Sequence, residues 1–120
     1  MITKLFASTD QKIPSIGQGC DLISTNSSLN DYSISELEYS VATGIDLGMN
    51  FIDTAETYGD GLSEKLIGRV VKGFRQDVFI ATKVAPQNSR LKDLILSCES
   101  SLLRLQTNYI DLYHVKLIDK

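Results

Sequence analysis

Three side chains in this sequence have types and positions suited to acid–base chemistry: Asp53, Tyr58 and Lys83. Asp53-Thr54-Ala55 closes a short apolar run, with Tyr58 just beyond it, and Thr82-Lys83-Val84 closes another. A phenol ionises near a pKa of about 10 and is a poor acid at neutral pH. An adjacent ammonium favours the phenolate and makes the proton easier to donate. A carboxylate beside the lysine would keep it charged and in place. Singly, each residue has a plain structural role: Asp53 as a helix cap, Tyr58 as a surface aromatic, Lys83 as a solvated strand-end charge. Their convergence on one rim favours a functional site.

Such convergence needs a frame. Ser33-Ile34-Ser35-Glu36 is a capping box that starts a helix with apolar residues at Ile34, Leu37, Val41 and Ile45, closed by Gly48. Asn50 to Ala55 predicts a strand. A Gly-rich turn, Tyr58-Gly59-Asp60-Gly61, leads to Ser63 as a plausible N-cap for a helix carrying Leu66, Ile67, Val70 and Val71, ended by Gly73. Asp77 to Val84 predicts a buried strand. Leu91, Leu94, Ile95, Cys98, Leu102 and Leu105 mark a third amphipathic helix, and Tyr109 to Val115 a fourth apolar run. Ser15 to Gly19 reads as the first strand, preceded by a hairpin over Ile2–Phe6 and Gln11–Pro14. Leu22 to Tyr32, rich in Ser, Asn and Asp, reads as a surface loop.

The order is βαβαβαβ, with strands about 25 to 35 residues apart, which argues a parallel α/β sheet covered by helices. Functional groups in such folds gather at the C-terminal strand ends. These ends lie near Gly19-Cys20-Asp21, Asp53-Thr54-Ala55, Thr82-Lys83-Val84 and His114-Val115-Lys116. No G-x-G-x-x-G phosphate loop follows the first strand, which counts against a dinucleotide-binding doubly wound sheet.

Composition narrows the classes further. Hydrophobic residues make up 42% and charged residues 22%, ordinary values for a globular protein. A net charge of −3 offers no basic patch for nucleic acid or an acidic membrane surface. No apolar run approaches the roughly 18 residues of a transmembrane helix, and no secretory signal opens the chain. Cys20 and Cys98 share no metal-ligand spacing and read as buried thiols in a reducing compartment. The default location is the cytoplasm.

Gly48-Met49-Asn50-Phe51-Ile52-Asp53-Thr54-Ala55-Glu56-Thr57-Tyr58-Gly59, followed by Gly61, Ser63-Glu64 and Gly68, closely resembles the aldo-keto reductase motif G-x-N-x-x-D-T-A-x-x-Y-G-x-G-x-S-E-x-x-x-G. Thr82-Lys83-Val84, Ser101 to Leu105, Tyr109 to Tyr113 and Ile13 to Gly19 are similar to further stretches of that family. The resemblance spans nearly the whole chain. It implies a (β/α)₈ TIM barrel, of which residues 1–120 would supply roughly the first four βα units, with no separate second domain. It implies NADP(H)-dependent reduction of aldehydes or ketones by hydride transfer, with a small-molecule carbonyl substrate. Tyr58 takes the place of the proton donor, Lys83 of its activator and Asp53 of the lysine's partner. Gly19, Cys20 and Asp53 fall where the cofactor is contacted, and Tyr58 and Lys116 where the substrate is.

Two departures stand out. The family places a histidine where this chain has Lys116, and Leu117-Ile118 replaces its Trp-Pro. His114 points to the same face roughly 6.6 Å deeper, as a barrel-interior or satisfied histidine rather than a substitute. Lys116 could donate a hydrogen bond to a carbonyl, and its charge would act on Tyr58. Length is the second departure, since a barrel of this kind runs about 250 residues. The open edges and a largely apolar inner face would then invite self-association. The alternative to an oxidoreductase is a truncated, inactive reductase serving as a binding or regulatory module.

Overall fold

Helical and strand periods alternate along the chain. The computed structural model, which describes residues 1–21 and 33–117, turns them into an N-terminal hairpin followed by three βα units and a last strand. The loop expected over Leu22–Tyr32 lies outside the described residues, as does Ile118. Strand β1 (Thr3–Leu5) pairs antiparallel with β2 (Lys12–Pro14). Four parallel strands follow: β3 (Gln18–Gly19), β4 (Phe51–Asp53), β5 (Phe79–Val84) and β6 (Leu112–Val115), adjacent in chain order. Strictly sequential order is the order of a barrel, whereas the Rossmann type of doubly wound sheet reverses direction at a switch point. The fold is therefore α/β, a part of a (β/α)₈ barrel.

Helix α1 (Ile34–Asp46) starts on the expected capping box, in which Ser33 Oγ accepts the Glu36 N–H at 3.2 Å and Glu36 Oε2 accepts the Ser33 N–H at 2.7 Å. Gly48, at φ +90°, supplies the left-handed turn that leads back to β4. Helix α2 (Leu62–Val70) departs from the sequence reading at its start. Gly61, at φ +84°, is the N-cap, and Ser63 lies buried within the first turn. Its hydroxyl is 2.8 Å from Thr54 Oγ1 and donates to the Cys20 carbonyl at 3.4 Å, so it joins the helix to two strand ends.

Helix α3 (Leu91–Leu105) has the predicted extent but a different buried face. Leu91 and Ile95 are exposed, and Ser101 and Leu105 are buried. The helix is packed mainly by α2, whose Gly68 has no Cβ to separate the two. A Cβ there would come within 2.6 Å of the Leu105 carbonyl oxygen. Cys98 is half-buried rather than buried, because the N-terminal half of α3 is less covered.

The outer face of the sheet carries the core. Ile52 and Ile80 are fully buried and pack with Leu66, Ile67, Val71 and Leu105. Burying each such side chain contributes about 1.5–3 kcal/mol. The inner face differs from the largely apolar surface expected of it. At its N-terminal end Phe79 packs on Phe51 and on Phe6 of the hairpin, with ring centroids 5.3 and 5.1 Å apart. At its C-terminal end stand Asp53, Lys83 and His114.

All four parallel strands are shorter than the stretches read for them, and the cause is visible at β3 and β6. Ser15 donates its N–H to Ile2 at the exit of the hairpin, so β3 retains only Gln18 and Gly19. Ahead of β6, Asp111 Oδ2 accepts the Ile80 N–H at 2.9 Å and pairs with Arg75 at 2.7 Å. A side chain thus takes the ladder position that a backbone carbonyl would fill.

Candidate active site

The parallel ladder continues past the strand ends and builds a rim. Cys20 donates its N–H to the Asp53 carbonyl at 2.9 Å, and Thr54 donates to Ala81 at 2.9 Å. Glu56 donates to Lys83 at 3.1 Å and Lys116 to Val84 at 2.9 Å. Each backbone bond fixes the height of one loop against its neighbour, so side chains from three strand ends meet on the inner face.

Asp53 and Lys83 are brought together. Lys83 Nζ donates to Asp53 Oδ2 at 2.6 Å and to the Thr54 carbonyl at 3.1 Å. Lys83 is largely buried, with 14% of its side chain exposed against 36% for Asp53. Tyr58 is half-buried, and Lys83 Nζ lies 5.2 Å from its ring centroid. The Tyr58 hydroxyl has no hydrogen-bond partner among the described residues, which leaves it available to a ligand.

Lys116 joins the same cluster. Its Nζ lies 5.0 Å from the Tyr58 ring centroid and donates to Thr57 Oγ1 at 3.2 Å. His114 is half exposed on the inner face, opposite Lys83 in register, and its Nε2 is 3.9 Å from Asp53 Oδ1. Its place on the inner face agrees with a barrel-interior or satisfied histidine, but the sequence names no partner for it and so misses this approach to the carboxylate. The parallel register would have shown it: His114 faces Lys83, which already reaches Asp53.

Gly19 and Cys20 occupy the first strand end differently from each other. Among the described residues a Cβ on Gly19 would meet nothing nearer than Asp21 Oδ1 at 4.0 Å. Cys20 is buried beneath the rim, 4% exposed. Burial pushes its thiol pKa up to about 12, helped by the charges of Asp53 and Asp21 and opposed by Lys83. It is an inert thiol packed under the site.

Other polar residues hold the rim in shape, and sequence reasoning assigned them no role. Glu64 is fully buried, accepting from Thr82 Oγ1 at 2.6 Å and from Arg104 Nε at 2.6 Å. It ties α2 to the strand that carries Lys83 and to α3. Glu56 Oε1 accepts the Ala85 N–H at 2.7 Å and Asn88 Nδ2 at 2.9 Å, fastening the loop after β5. Gln18 Nε2 donates to the carbonyls of Val41 and Met49, joining β3 to the middle of α1 and to the segment that leads from it into β4. Only long-range proximity reveals these partners. A separate open groove of about 950 Å³, lined by Arg75, Leu102, Leu103, Gln106 and Tyr109, lies towards the opposite end of the sheet and includes none of the rim residues.

Comparison with known proteins shows the family and the fold. The sequence pattern described as "Aldo/keto reductase family" matches residues 17–120. Methylglyoxal reductase YeaE of Escherichia coli (strain K12) is 41% identical over 106 residues, which is 88% of this chain and 36% of that protein. The crystal structure of a thermostable aldo-keto reductase, Tm1743, in complex with the inhibitor epalrestat is 40% identical, with a TM-score of 0.87 over 99% of this chain and 44% of that one. An aldo-keto reductase from Klebsiella pneumoniae in complex with NADPH is 32% identical, with a TM-score of 0.79 over 91% of this chain and 37% of that one. The chain thus spans less than half the length of these relatives. No helix among the described residues is long and apolar enough to cross a membrane. With its sequential parallel strands, its Asp53–Lys83 pair beside Tyr58 and a family pattern running over residues 17–120, the chain belongs to the aldo/keto reductase family.

Proposed function

We propose that this chain is the catalytic N-terminal half-barrel of an NADP(H)-dependent oxidoreductase that reduces aldehydes or ketones to alcohols. The observation that carries the reading is the Asp53–Lys83 pair at 2.6 Å beside a tyrosine whose hydroxyl is unengaged. NADPH in the Klebsiella pneumoniae relative supports the choice of cofactor. Gly19 brings no side chain to the rim, and among the described residues a flat ring has room against the strand ends, with Gly19 and Asp53 as its neighbours and Cys20 beneath them. A bound nicotinamide supplies the hydride for the carbonyl carbon.

Tyr58 gives its phenolic proton to the carbonyl oxygen, where negative charge develops as hydride arrives. The Lys83 ammonium favours the resulting phenolate electrostatically. Asp53 and the Thr54 carbonyl fix that ammonium, so little reorganisation accompanies the transfer. Lys116 contacts the substrate beside Tyr58, a role supported by its Nζ lying 5.0 Å from the Tyr58 ring centroid. The two free thiols fit a reducing, cytoplasmic setting. Consumption of NADPH in the presence of methylglyoxal, the substrate named for the Escherichia coli relative, tests the reading. Turnover that depends on Tyr58 is the expected result, and turnover unchanged by Tyr58→Phe would defeat it.

A further inference from the structure

We infer that Lys116 makes this rim selective for carbonyl compounds that carry a carboxylate. The inference rests on the proposed oxidoreductase reading and adds the class of substrate. It starts from charge balance. Asp53 is taken by Lys83 at 2.6 Å and approached by His114 at 3.9 Å. Among the described residues no carboxylate lies within 4.0 Å of Lys116, whose Nζ is met by the neutral Thr57 hydroxyl at 3.2 Å and by the Tyr58 ring. Among the described residues one positive charge therefore stands without a counter-charge next to the hydroxyl available to a carbonyl.

An ammonium is a compact point charge with three donors, and Thr57 Oγ1 uses one of them. The remaining donors suit a carboxylate, which accepts through two oxygens and matches a single positive charge. A phosphate ester carries nearly twice that charge and would ask for a second cation, but Lys83 is already committed to Asp53. Backbone placement supports the role, since the Lys116 N–H is fixed to Val84 at 2.9 Å, the strand end next to Lys83. The side chain is half-buried, which limits the solvent screening of a bound anion. A neutral aldehyde would leave the charge unsatisfied.

The test compares 4-oxobutanoate with butanal as substrates of the whole protein with NADPH, in wild type, Lys116→Met and Lys116→Arg. A charge-assisted hydrogen bond should favour 4-oxobutanoate in kcat/KM by roughly ten- to hundredfold. The ratio of the two kcat/KM values should collapse in Lys116→Met, mainly through KM, and persist in Lys116→Arg. A second arm follows binding of butanoate and of the neutral butanamide through the NMR shifts of Thr57. Butanoate should bind in wild type and be lost in Lys116→Met, and butanamide should bind in neither. A substrate ratio untouched by Lys116→Met, or butanamide binding as tightly as butanoate, would overturn the inference. Absence of turnover with both aldehydes would count against the oxidoreductase reading instead, and the butanoate arm would still decide the role of Lys116.

Discussion

The Asp53 carboxylate and the Lys83 ammonium meet at 2.6 Å although 30 residues separate them. The register explains the contact. Asp53 stands opposite Ala81, and Lys83 is two residues further along the same face of β5, so its long side chain leans back across the ladder. A second bond, to the Thr54 carbonyl, holds the ammonium from the side of β4. The pair is thus set by sheet pairing and not by local sequence.

Tyr58→Phe removes the proposed proton donor while keeping the ring. Turnover of an aldehyde should fall by about 10²–10⁴-fold with little change in fold. Asp53→Asn keeps the shape of the side chain but removes the charge that anchors Lys83, and a smaller fall is expected. Steady-state kinetics with circular dichroism checks both, and an Asp53→Asn enzyme with full kcat would show that Lys83 needs no anchor.

Glu64 is fully buried between Thr82 and Arg104. Glu64→Ala leaves the Arg104 guanidinium without its carboxylate, a loss of about 3–5 kcal/mol for a buried pair broken on one side. Urea unfolding measures it. A change below about 1 kcal/mol would place this ion pair with exposed ones.

The two thiols should differ in reactivity. Cys20 is buried, with its thiol pKa pushed up to about 12, whereas Cys98 is half-buried and raised less simply, by burial and then by Glu99 and Glu64. Iodoacetamide at about pH 8 should label Cys98 first, because only the thiolate reacts and Cys20 is closed to reagent. The linkage has a definite sign. A raised thiol contributes stability below the unfolded value of 9.0 and loses it as pH climbs towards about 12. Stability of Cys20→Ala should therefore fall less steeply across that window than that of the wild type. Equal slopes in alkaline denaturation would rule the coupling out.

Ser33→Ala opens the capping box of α1. The Ser33 backbone N–H, and then its hydroxyl, hold the Glu36 carboxyl below its usual value of 4.5. A depressed carboxylate contributes stability above 4.5 and loses it as pH falls through the folded value. The backbone bond survives Ser33→Ala and the hydroxyl bond does not. The acid limb of the stability profile should become shallower without vanishing, and an identical limb would exclude the hydroxyl.

Gly68→Ala forces a methyl to within 2.6 Å of the Leu105 carbonyl oxygen and 2.9 Å of the Arg104 carbonyl oxygen. Both obstacles are backbone, so helices α2 and α3 must part, at about 1–3 kcal/mol. Thermal melts decide between that loss and the slight gain in helix propensity that alanine would otherwise bring.

Local features were legible in the sequence. The Ser33–Glu36 capping box, the span of α3 and the alternation of strands and helices depend on near neighbours, and they stand where the pattern put them. Asp53, Tyr58 and Lys83 could be singled out because strand ends in a parallel sheet share one rim. Ser63 was misplaced as a cap because its true partners, Thr54 and Cys20, come from other strand ends. Leu91 and Ile95 were assigned to a buried face because periodicity gives a helix's apolar side but not how far its neighbours cover it. The approach of His114 to Asp53 and that of Lys116 to the Tyr58 ring arise from register across three strands, which no short window contains.

The backbone ladder that runs on past the strand ends has an evolutionary corollary. Cys20, Thr54, Glu56 and Lys116 are positioned there by main-chain amides, and the carbonyls they bind belong to Asp53, Ala81, Lys83 and Val84 whatever side chains those residues carry. Address and occupant are inherited separately. On the selectivity proposed for Lys116, a single codon change at position 116 would retune which molecules are attracted while the polypeptide's path stays the same, so the rim would drift between substrates without passing through misfolded ancestors.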